Sequence, residues 1–396
     1  MPENKTKPEI RFKGFTYAWE HLKTKELCTI STGKSNTQDC VDDGIYPFYV
    51  RSEIVERSNR YLFDEEAVLT VGDGGIGKVF HYVNGKYDLH QRVYRMFNFS
   101  KEITAKYFYY YFSTYFYDRA MAMTAKTSVD SVRYEMIADM DISFPKVQEQ
   151  KFITKFFENL DKIIDLHQRK CEKLQTIKKS LLSKMFPSDD KSIPEIRFNG
   201  YTYAWELSAL GDLGTTFTGL SGKKKDDFGK GDAHFIPYLN VFNNPIIDPS
   251  FVESIEIDNS QNEVKYGDIF FTTSSETPDE VGMSSVWLSG LKNIYLNSFC
   301  FGYRLNFLEN YDLNYLAYNF RSNSFRNHMI LLAQGISRFN ISKTRAMDIK
   351  ISIPTLKEQQ KIGNFFKNLD KIIDLHQCKC EKLQTIKKSL LGKMFC

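Results

Sequence analysis

The chain has 396 residues, of which 42% are hydrophobic and 26% are charged, and its formal net charge is +4. This length exceeds one ordinary hydrophobic core, so we expect two or more domains, and the composition excludes a disordered or collagen-like chain. No apolar run approaches the roughly 18 residues of a membrane span, the first residues lack a secretory signal, and the seven cysteines show no CxxC spacing. We therefore expect a cytoplasmic protein with reduced thiols.

The chain begins with a motif that occurs twice. Residues 8–20 read PEIRFKGFTYAWE, and residues 194–206 read PEIRFNGYTYAWE. A repeat within one chain indicates repeated structural units. This opening motif marks the start of two tandem units, at about 8–186 and 194–395.

The first variable body, residues 21–142, is predicted to be α/β with a β-rich front half. Its glycine-rich turn, residues 72–77, lacks the full GxGxxG spacing, and no GKS or GKT occurs. A hairpin turn is therefore favoured there over a nucleotide site. The aromatic run 107–117 has helical spacing, and we favour a buried helix over a base-stacking surface.

The segment 147–186 is predicted to form one long helix. Neither Gly nor Pro interrupts it, and apolar residues recur in it every seven positions. At about 1.5 Å per residue the helix is roughly 60 Å long. Such an apolar stripe must be buried, because each fully buried Leu or Ile contributes about 1.5–3 kcal/mol.

After a short polar linker at 187–194, the second unit repeats this plan. Its body, residues 207–350, differs in sequence and includes a predicted helical stretch at 313–326. Its tail is nearly identical to the first, because residues 369–395 match residues 160–186 at all but two of 27 positions. The second tail is therefore predicted to be a twin helix.

We predict that the two helices pair with each other as a coiled coil rather than packing only on their own bodies. Equivalent units tend to pair about a two-fold axis, so we expect antiparallel helices with the bodies at opposite ends. His167 and His376 would then lie near each other and fix the register rather than bind a metal. The predicted interface consists of Ile153, Leu160, Ile163, His167, Leu174, Ile177, Leu181, Ile362, Leu369, Ile372, His376, Leu383, Ile386 and Leu390.

The basic charge is confined to the two tails. Residues 146–186 hold ten Lys or Arg against five Asp or Glu, residues 355–395 hold nine against four, and the rest of the chain is net −6. The sequence contains no HExxH or GxSxG motif, and it lacks the Asn/Asp-Pro-Pro-Tyr/Phe motif of amino-methyltransferases. These absences predict a protein without catalytic activity.

Two variable bodies that alternate with two near-identical helical segments resemble the specificity (S) subunit of a bacterial type I restriction–modification system. The most specific marks are SFPKVQEQ at 143–150 with LDKII at 160–164, the second copy at 352–373, and the opening motif. Residues 68–77 and 268–282 also resemble turns of the family's target-recognition domains. The resemblance covers nearly the whole chain.

The expected fold is α+β. Two α/β target-recognition domains with β-rich front halves are separated by two long helices that form an antiparallel coiled coil, as a pseudo-two-fold tandem repeat. The predicted segments are the opening motif 1–20, the first target-recognition domain 21–145, the central helix 146–186, the linker with the second opening motif 187–206, the second target-recognition domain 207–354 and the C-terminal helix 355–396.

The resemblance implies that each target-recognition domain reads one half of a bipartite and asymmetric double-stranded DNA site. The coiled coil would set the spacer between the halves and dock two methylation subunits, and restriction subunits would join them for cleavage. No cofactor is expected in this chain, because S-adenosylmethionine, ATP and Mg²⁺ would belong to the partner subunits. The bodies' net negative charge predicts weak DNA binding without those partners.

Candidate DNA contacts follow from residue type, because Lys and Arg bind phosphates, while Arg, Asn, Gln and Ser read base edges. The candidates are Lys34, Ser35, Asn36, Arg51, Lys78, Gln91, Arg92, Lys223, Lys224, Lys225, Asn240, Asn297 and Arg338. Two alternatives stay open at this point. A coiled-coil scaffold with two modules for ligands other than DNA shares every local feature, and a self-contained methyltransferase or nuclease is disfavoured by the missing motifs.

Overall fold

The structure is a computed structural model, and it describes residues 7–124, 131–188 and 191–395. The chain forms two compact units. Unit 1 takes Met1–Gln168 and Cys378–Cys396, and unit 2 takes Arg169–Gln377. Among the described helices, none is both long and apolar enough to cross a membrane.

In its described residues, unit 1 combines a six-stranded sheet, a two-stranded sheet and three helices with the first part of one very long helix and the last part of another. Its elements are β1 (Glu20–Lys23), α1 (Thr24–Leu27), β2 (Thr29–Thr32), β3 (Tyr46–Tyr49), β4 (Val55–Ser58), β5 (Phe63–Val71), β6 (Phe80–Leu89), β7 (Val93–Phe97), α2 (Ala105–Thr124), α3 (Tyr134–Ala138), β8 (Asp141–Phe144) and α4 (Val147–Lys184).

A six-stranded sheet forms the centre of unit 1, with the strand order β2-β7-β5-β6-β3-β4. The long strands β5 and β6 pair as an antiparallel hairpin around the glycine-rich turn, with Thr70 opposite Phe80. The predicted hairpin is therefore confirmed. Strand β3 pairs with β6 in the parallel sense, with Tyr49 opposite Leu89.

Helix α2 carries the aromatic run and packs on this sheet. Phe108, Phe112 and Phe116 are fully buried. Their rings stack in succession, with centroids 5.2 Å and 4.4 Å apart, and Phe80 meets Phe112 edge to face. Offset and edge-to-face contacts are the arrangements that aromatic rings favour. The prediction of a core helix rather than a base-stacking surface is confirmed.

Unit 2 repeats the plan. Its elements are β9 (Glu206–Ala209), α5 (Leu210–Leu213), β10 (Gly214–Thr218), β11 (Phe228–Ile236), α6 (Tyr238–Asn243), β12 (Glu253–Ile255), β13 (Ile269–Thr272), β14 (Ser274–Ser275), β15 (Ser284–Val286), β16 (Ile294–Leu296), β17 (Cys300–Leu305), α7 (Leu313–Asn319), α8 (Asn323–Leu331), β18 (Phe339–Asn340), α9 (Lys343–Met347), β19 (Lys350–Ile353) and α10 (Leu356–Met394).

The strand connections of unit 2 follow those of unit 1. One sheet has the order β10-β17-β13-β15 and a second has the order β12-β11-β16. Strand β11 pairs with β16 in the parallel sense, as β3 does with β6. The two short strands β15 and β16 thus stand where unit 1 has the single strand β6.

The predicted helical stretch at 313–326 is interrupted in the structure, because α7 ends at Asn319 and α8 begins at Asn323. The Ser322 side chain accepts a hydrogen bond from the backbone N–H of Phe325 and caps α8. Serine at such a position satisfies one of the unpaired N–H groups of a helix start. The capping serine begins a second helix, so the prediction of a single helix is wrong.

The opening motif holds the start of each long helix in place. Arg11 donates two hydrogen bonds of 2.7 Å to the carboxylate of Glu149 in α4. Arg197 does the same to Glu358 in α10, at 2.7 and 2.8 Å. Both glutamates are buried, with 2% and 1% of their side chains exposed. Fork-to-carboxylate pairs of this kind fix geometry as well as contribute energy.

The long helices α4 and α10 have 38 and 39 residues, and each contributes one end to each unit. In unit 1, Asp161 of α4 binds Lys387 of α10 at 2.5 Å, and three residues later the Ile164 carbonyl faces Cys380. From the first contact to the second, the residue number rises in α4 and falls in α10. The two helix ends are therefore antiparallel.

The two helix ends in unit 2 are antiparallel as well. Lys178 of α4 binds Asp370 of α10 at 2.6 Å. Eight residues further along the chain, just after the end of α4, the ring of Phe186 stacks on Phe366 with centroids 5.9 Å apart. The predicted antiparallel pairing is therefore confirmed within each unit.

The inward-facing stripe of the two helices differs in part from the predicted interface. Buried residues alternate by four and three positions: Ile153, Phe157, Leu160 and Ile164 in α4, and Ile362, Phe366, Leu369 and Ile373 in α10. The stripe continues at every seventh position through half-buried His167, Leu174, Leu181, His376, Leu383 and Leu390. His167 belongs to unit 1 and His376 to unit 2, and their proximity stays a prediction.

Four predicted interface residues instead lie on the outside, namely Ile163, Ile177, Ile372 and Ile386. They stand three positions after the heptad residues, whereas the inward-facing residues stand four positions after them, namely the buried Ile164 and Ile373 and the half-buried Lys178 and Lys387. A coiled-coil seam takes two positions of each heptad. Since the position four later fills the second place, the position three later faces outward, which corrects the prediction at these four residues.

Candidate nucleic-acid interface

The two units share one backbone arrangement at the end of their central strands. In unit 1 the N–H of Gly72 donates to the Arg92 carbonyl at 2.8 Å, and the Gly72 carbonyl accepts from Val132 at 2.7 Å. In unit 2 the N–H of Thr273 donates to the Phe299 carbonyl at 2.8 Å, and the Thr273 carbonyl accepts from Ile341 at 3.1 Å. Gly72 and Thr273 therefore occupy equivalent positions.

A third chain segment joins this arrangement in the same way in both units. The His90 N–H donates to the Tyr49 carbonyl at 3.0 Å, and the Asn297 N–H donates to the Ile236 carbonyl at 3.2 Å. These equivalent backbone bonds align the two units residue by residue. Arg51 and Tyr238 lie two residues after the Tyr49 and Ile236 acceptors, Asp73 and Ser274 lie one residue after Gly72 and Thr273, and Arg92 and Phe299 are themselves equivalent acceptors. We call Arg51, Asp73 and Arg92 strand-end site 1, and Tyr238, Ser274 and Phe299 strand-end site 2.

In strand-end site 1 one carboxylate holds two arginines. Arg92 donates from Nη1 to Asp73 Oδ2 at 2.6 Å, and Arg51 donates from Nη1 to Oδ1 at 3.3 Å. The arginine side chains are 63% and 45% exposed, whereas that of Asp73 is 16% exposed. Partial burial opposes ionisation of Asp73, but the hydrogen bonds from Arg92 and Arg51 lower its pKa below the ordinary value. The site therefore presents a fixed pair of guanidinium groups to solvent.

The residues beside this site are anchored to it. Gln91 donates from Nε2 to Asn36 Oδ1 at 2.6 Å, and both side chains are exposed. The buried ring of His90 accepts at Nδ1 from the Arg92 N–H. Burial, reinforced by the nearby Arg51, lowers the pKa of His90, so the ring stays neutral at pH 7 and keeps Nδ1 as an acceptor.

A glycine brings the loop of Asn36 next to this strand end. A Cβ on Gly33 would lie 2.1 Å from the Leu89 carbonyl oxygen, and one on its counterpart Gly219 would lie 2.0 Å from the Asn297 carbonyl oxygen. Only glycine permits these approaches without a shift of the backbone. The loop after the first sheet strand is therefore held against the strand end in each unit.

Strand-end site 2 has the same backbone hydrogen bonds as strand-end site 1 but different side chains. The Tyr238 hydroxyl donates to the Ser274 carbonyl at 3.0 Å. Arg338, which comes from a separate hairpin, donates from Nε to Ser274 Oγ at 2.8 Å and lies 5.6 Å from the Phe299 ring centroid. Two aromatic rings and one guanidinium thus replace the two guanidinium groups of strand-end site 1.

The structure brings several predicted residues together in unit 1 and leaves others apart. Arg51 and Arg92 meet at Asp73, and Asn36 and Gln91 bind each other. Lys34 is exposed on the loop before Asn36. Lys78 is exposed on the hairpin turn, with Nζ 5.8 Å from the Tyr117 ring centroid.

In unit 2, Lys223 forms an ion pair with Asp258 at 2.8 Å, which leaves Lys224 and Lys225 as the more exposed members of that run. Arg338 belongs to the surroundings of strand-end site 2. The three lysines follow strand β10, at the loop that corresponds to the one carrying Lys34. They suit phosphates rather than base edges, because an ammonium group is a point charge without a fork.

Three predicted contacts are corrected by burial. Ser35 is buried and donates from Oγ to the buried Asp88 at 2.5 Å. The Asn240 amide donates to the carbonyls of Asp248 and Phe251 and accepts from the Asp248 N–H, all inside the protein. Asn297 is buried and accepts from the Phe299 N–H at 2.9 Å. The polar groups of these three side chains bind neighbouring chain segments inside the protein.

Four members of the strand-end sites are not among the residues predicted from the sequence. Asp73 is acidic, and Tyr238, Ser274 and Phe299 carry no basic charge, so their residue types do not indicate DNA contacts. The signal for Asp73 in the sequence is its position inside the glycine-rich turn 72–77. Across the described ranges, no group of three or more His, Cys, Asp or Glu side chains is arranged to hold a metal ion.

A second surface lies on the outside of the long helices. Three exposed apolar residues of α4 each have an exposed apolar counterpart 209 positions later, in α10. We call them the outer stripe: Ile163, Leu166 and Ile177 in α4, and Ile372, Leu375 and Ile386 in α10. Exposed apolar groups in a row mark interaction surfaces more often than isolated ones do. Each long helix thus offers the same apolar face.

Comparison with known proteins gives a family. The sequence model described as "Type I restriction modification DNA specificity domain" matches residues 17–176 and again residues 203–385. The MjaVIII specificity subunit of Methanocaldococcus jannaschii, a type I restriction enzyme, is 22% identical over 296 residues. The EcoDI specificity subunit of Escherichia coli is 26% identical over 162 residues.

The two curated relatives are matched only in part. The MjaVIII match covers 68% of this chain and 65% of the relative, and the EcoDI match covers 41% and 35%. A solved structure covers more: the S subunit of a type I restriction–modification system from M. genitalium aligns over 98% of this chain and 99% of its own. Its TM-score is 0.59 at 14% identity. This likeness shows that the two chains share their fold.

Proposed function

We propose, for a chain that belongs to the type I restriction–modification DNA specificity family, that its two units read the two halves of one bipartite and asymmetric DNA site. The observation that carries this proposal is the pair of strand-end sites. They use the same backbone hydrogen bonds and present different side chains. Two domains that bind different base sequences need the same backbone arrangement with different side chains on it.

The exposed groups around the sites are of the types that contact DNA. Arginine forks and the Asn36–Gln91 pair match base edges, whereas Lys34, Lys78, Lys224 and Lys225 match phosphates. Outside the two tails the chain is net −6. Because phosphate neutralisation supplies most of the affinity for DNA, we expect the partner subunits to contribute a large part of the phosphate contacts.

The outer stripe supports docking of two copies of one partner. Its residues recur at a constant offset in helices of nearly identical sequence, whereas the bodies differ. Two equal surfaces suit two equal partners, and in this system those are the methylation subunits. S-adenosylmethionine, ATP, Mg²⁺ and the chemistry would be theirs and the restriction subunits', and this chain would supply sequence recognition.

The long helices suit the role of a spacer. A continuous helix of 38 residues spans roughly 57 Å at about 1.5 Å per residue. Antiparallel packing in both units prevents either helix from sliding along the other without breaking buried contacts. The distance between the half-sites would then follow from helix length, as half-site spacing follows from rigid geometry in other DNA readers.

Methylome sequencing tests the proposal. We expect one bipartite methylated motif in a host that carries this chain with its methylation subunits, and loss of that motif when this chain alone is deleted. A variant in which residues 207–354 are exchanged for those of another member of the family is the matched control, and it should change one half of the motif only. A motif that persists after the deletion would refute DNA recognition by this chain and favour a scaffold that binds other ligands.

A further inference from the structure

The two arginines of strand-end site 1 are held more firmly than side chains on an open surface usually are. They come from different chain segments, and each gives Nη1 to one carboxylate of Asp73. The Arg92 backbone is fixed on both sides, because its N–H donates to His90 and its carbonyl accepts from Gly72. Such anchoring reduces the conformational entropy that a long side chain loses when it binds a ligand.

The remaining donors of each fork point to a definite ligand chemistry. A guanidinium has five N–H donors, and Asp73 takes one from each arginine. Among base edges in the major groove, the O6 and N7 acceptors of guanine match an arginine fork in a bidentate manner. The carboxylate of Asp73 repels phosphate, so the same pair is less suited to the DNA backbone than a free arginine is.

We propose that Arg51 and Arg92 each read a guanine in the first half-site and that Asp73 is the positioning residue for both. This inference rests on the proposed function and deepens it by naming the base. In unit 2, Tyr238 and Phe299 stand at the positions of Arg51 and Arg92. The second half-site is therefore not read by an arginine pair at this place, and its single guanidinium there is that of Arg338.

The first test uses the full chain with its methylation subunits in the host. Arg92→Gln and Arg51→Gln should each relax a different guanine position of one half-site, with a roughly 5- to 150-fold loss of discrimination. Asp73→Asn should relax both positions while the other half-site stays unchanged. The matched controls are Arg57→Gln, an exposed arginine of β4 in the same unit, which should change nothing, and Arg338→Gln, which should affect only the other half-site.

A second measurement keeps the proposal testable if a variant fails to fold. The wild-type complex is titrated with duplexes in which each guanine of the first half-site is replaced in turn by 7-deazaguanine, which lacks the N7 acceptor. We expect weaker binding at two positions, and these should be the positions that the arginine variants relax. Unchanged binding throughout, or a first half-site without guanine, would overturn the inference.

These outcomes are separate from failure of the proposed function. If the chain does not determine a bipartite motif, deletion already shows it before any arginine is changed. If the motif depends on the chain but the arginine variants and 7-deazaguanine leave it intact, the recognition function stands and the assignment of guanine is wrong.

Discussion

Arg11 and Arg197 show how much depends on single residues outside the strand-end sites. Each donates two hydrogen bonds to a glutamate that is almost fully buried at the start of a long helix. Removing one partner of a buried pair leaves an uncompensated charge, which costs about 3–5 kcal/mol. An exposed ion pair contributes only about 0–1 kcal/mol.

We therefore expect Arg197→Ala to lower the free energy of unfolding of unit 2 by about 3–5 kcal/mol. The measurement is denaturant unfolding followed by a probe in unit 2. Arg57→Ala, at an exposed site, is the control and should cost less than about 0.5 kcal/mol. Replacing both partners, as in Arg197→Leu with Glu358→Leu, should restore much of the loss; a single variant as stable as the wild type would show that the pair is not structural.

Residue type alone predicted some of the residues at the strand-end sites, but it also selected residues that are buried. Arg51, Arg92 and Arg338 were identified because their side chains suit DNA, and they lie at or beside the strand-end sites. Asn240 has a suitable type as well, but its hydrogen bonds are all made inside the protein. Burial depends on which loops meet in space, and one sequence without a structure does not contain that information.

At the scale of elements, the sequence predicted the long helices better than the surface between them. Repeated heptads, together with the absence of Gly and Pro in 147–186, were sufficient for α4 and for its antiparallel partner. The seam was harder to predict because apolar residues occur both three and four positions after the same heptad residue, as Ile163 and Ile164 do after Leu160. Ile163 and Ile164 are equally apolar, yet only Ile164 is buried. A hydrophobic pattern with two apolar neighbours does not show which one meets the partner helix.

The regular seam makes the spacer role testable. Insertion of one heptad into α4 and of a matching heptad into α10 keeps the alternation of three and four, so the helices should still pair. Seven residues add about 10 Å at about 1.5 Å per residue, which corresponds to roughly three base pairs at about 3.4 Å each. We expect methylome sequencing to show the same two half-sites with a longer gap.

Insertion of two residues at the same two places is the control for this experiment. Two residues turn the following part of each helix by about 200° at 3.6 residues per turn, so the apolar stripes should no longer face each other and methylation should be lost. Altered half-site bases with an unchanged gap in the heptad variant would contradict the spacer role.

At the scale of the whole molecule, each unit is completed by the end of a helix that begins in the other. In unit 1 the C-terminal Phe395 packs on Tyr107 and Phe157, with ring centroids 5.4 and 6.0 Å apart. In unit 2 Phe186 packs on Tyr315 and Phe366 at 5.7 and 5.9 Å. The two ends are nearly identical in sequence, so each should fit the place that the other occupies.

This equivalence predicts the behaviour of the first half of the chain alone. A fragment of residues 1–193 contains most of unit 1 but lacks residues 378–395, which contribute Phe395 and a backbone hydrogen bond from Ile10 to the Lys393 carbonyl. Its own residues 169–186 match the missing segment at 16 of 18 positions. Because α4 is one continuous helix, these residues extend beyond their own unit 1 and are available to a second copy.

We expect the fragment to form a symmetric dimer in which each copy's residues 169–186 complete the other copy's unit 1. Sedimentation equilibrium should show a dimer, and Phe186→Asp should shift it to monomers, because a charge cannot replace the ring among Tyr107, Tyr111 and Phe157 without a large desolvation penalty. Leu166→Asp, on the outer stripe, is the control and should leave the dimer intact. With methylation subunits, two equal readers should recognise a palindrome of the first half-site, in which the guanines assigned to Arg51 and Arg92 occur twice. A well-folded monomeric fragment would show instead that unit 1 does not need the second helix end, and would remove the structural basis for this exchange.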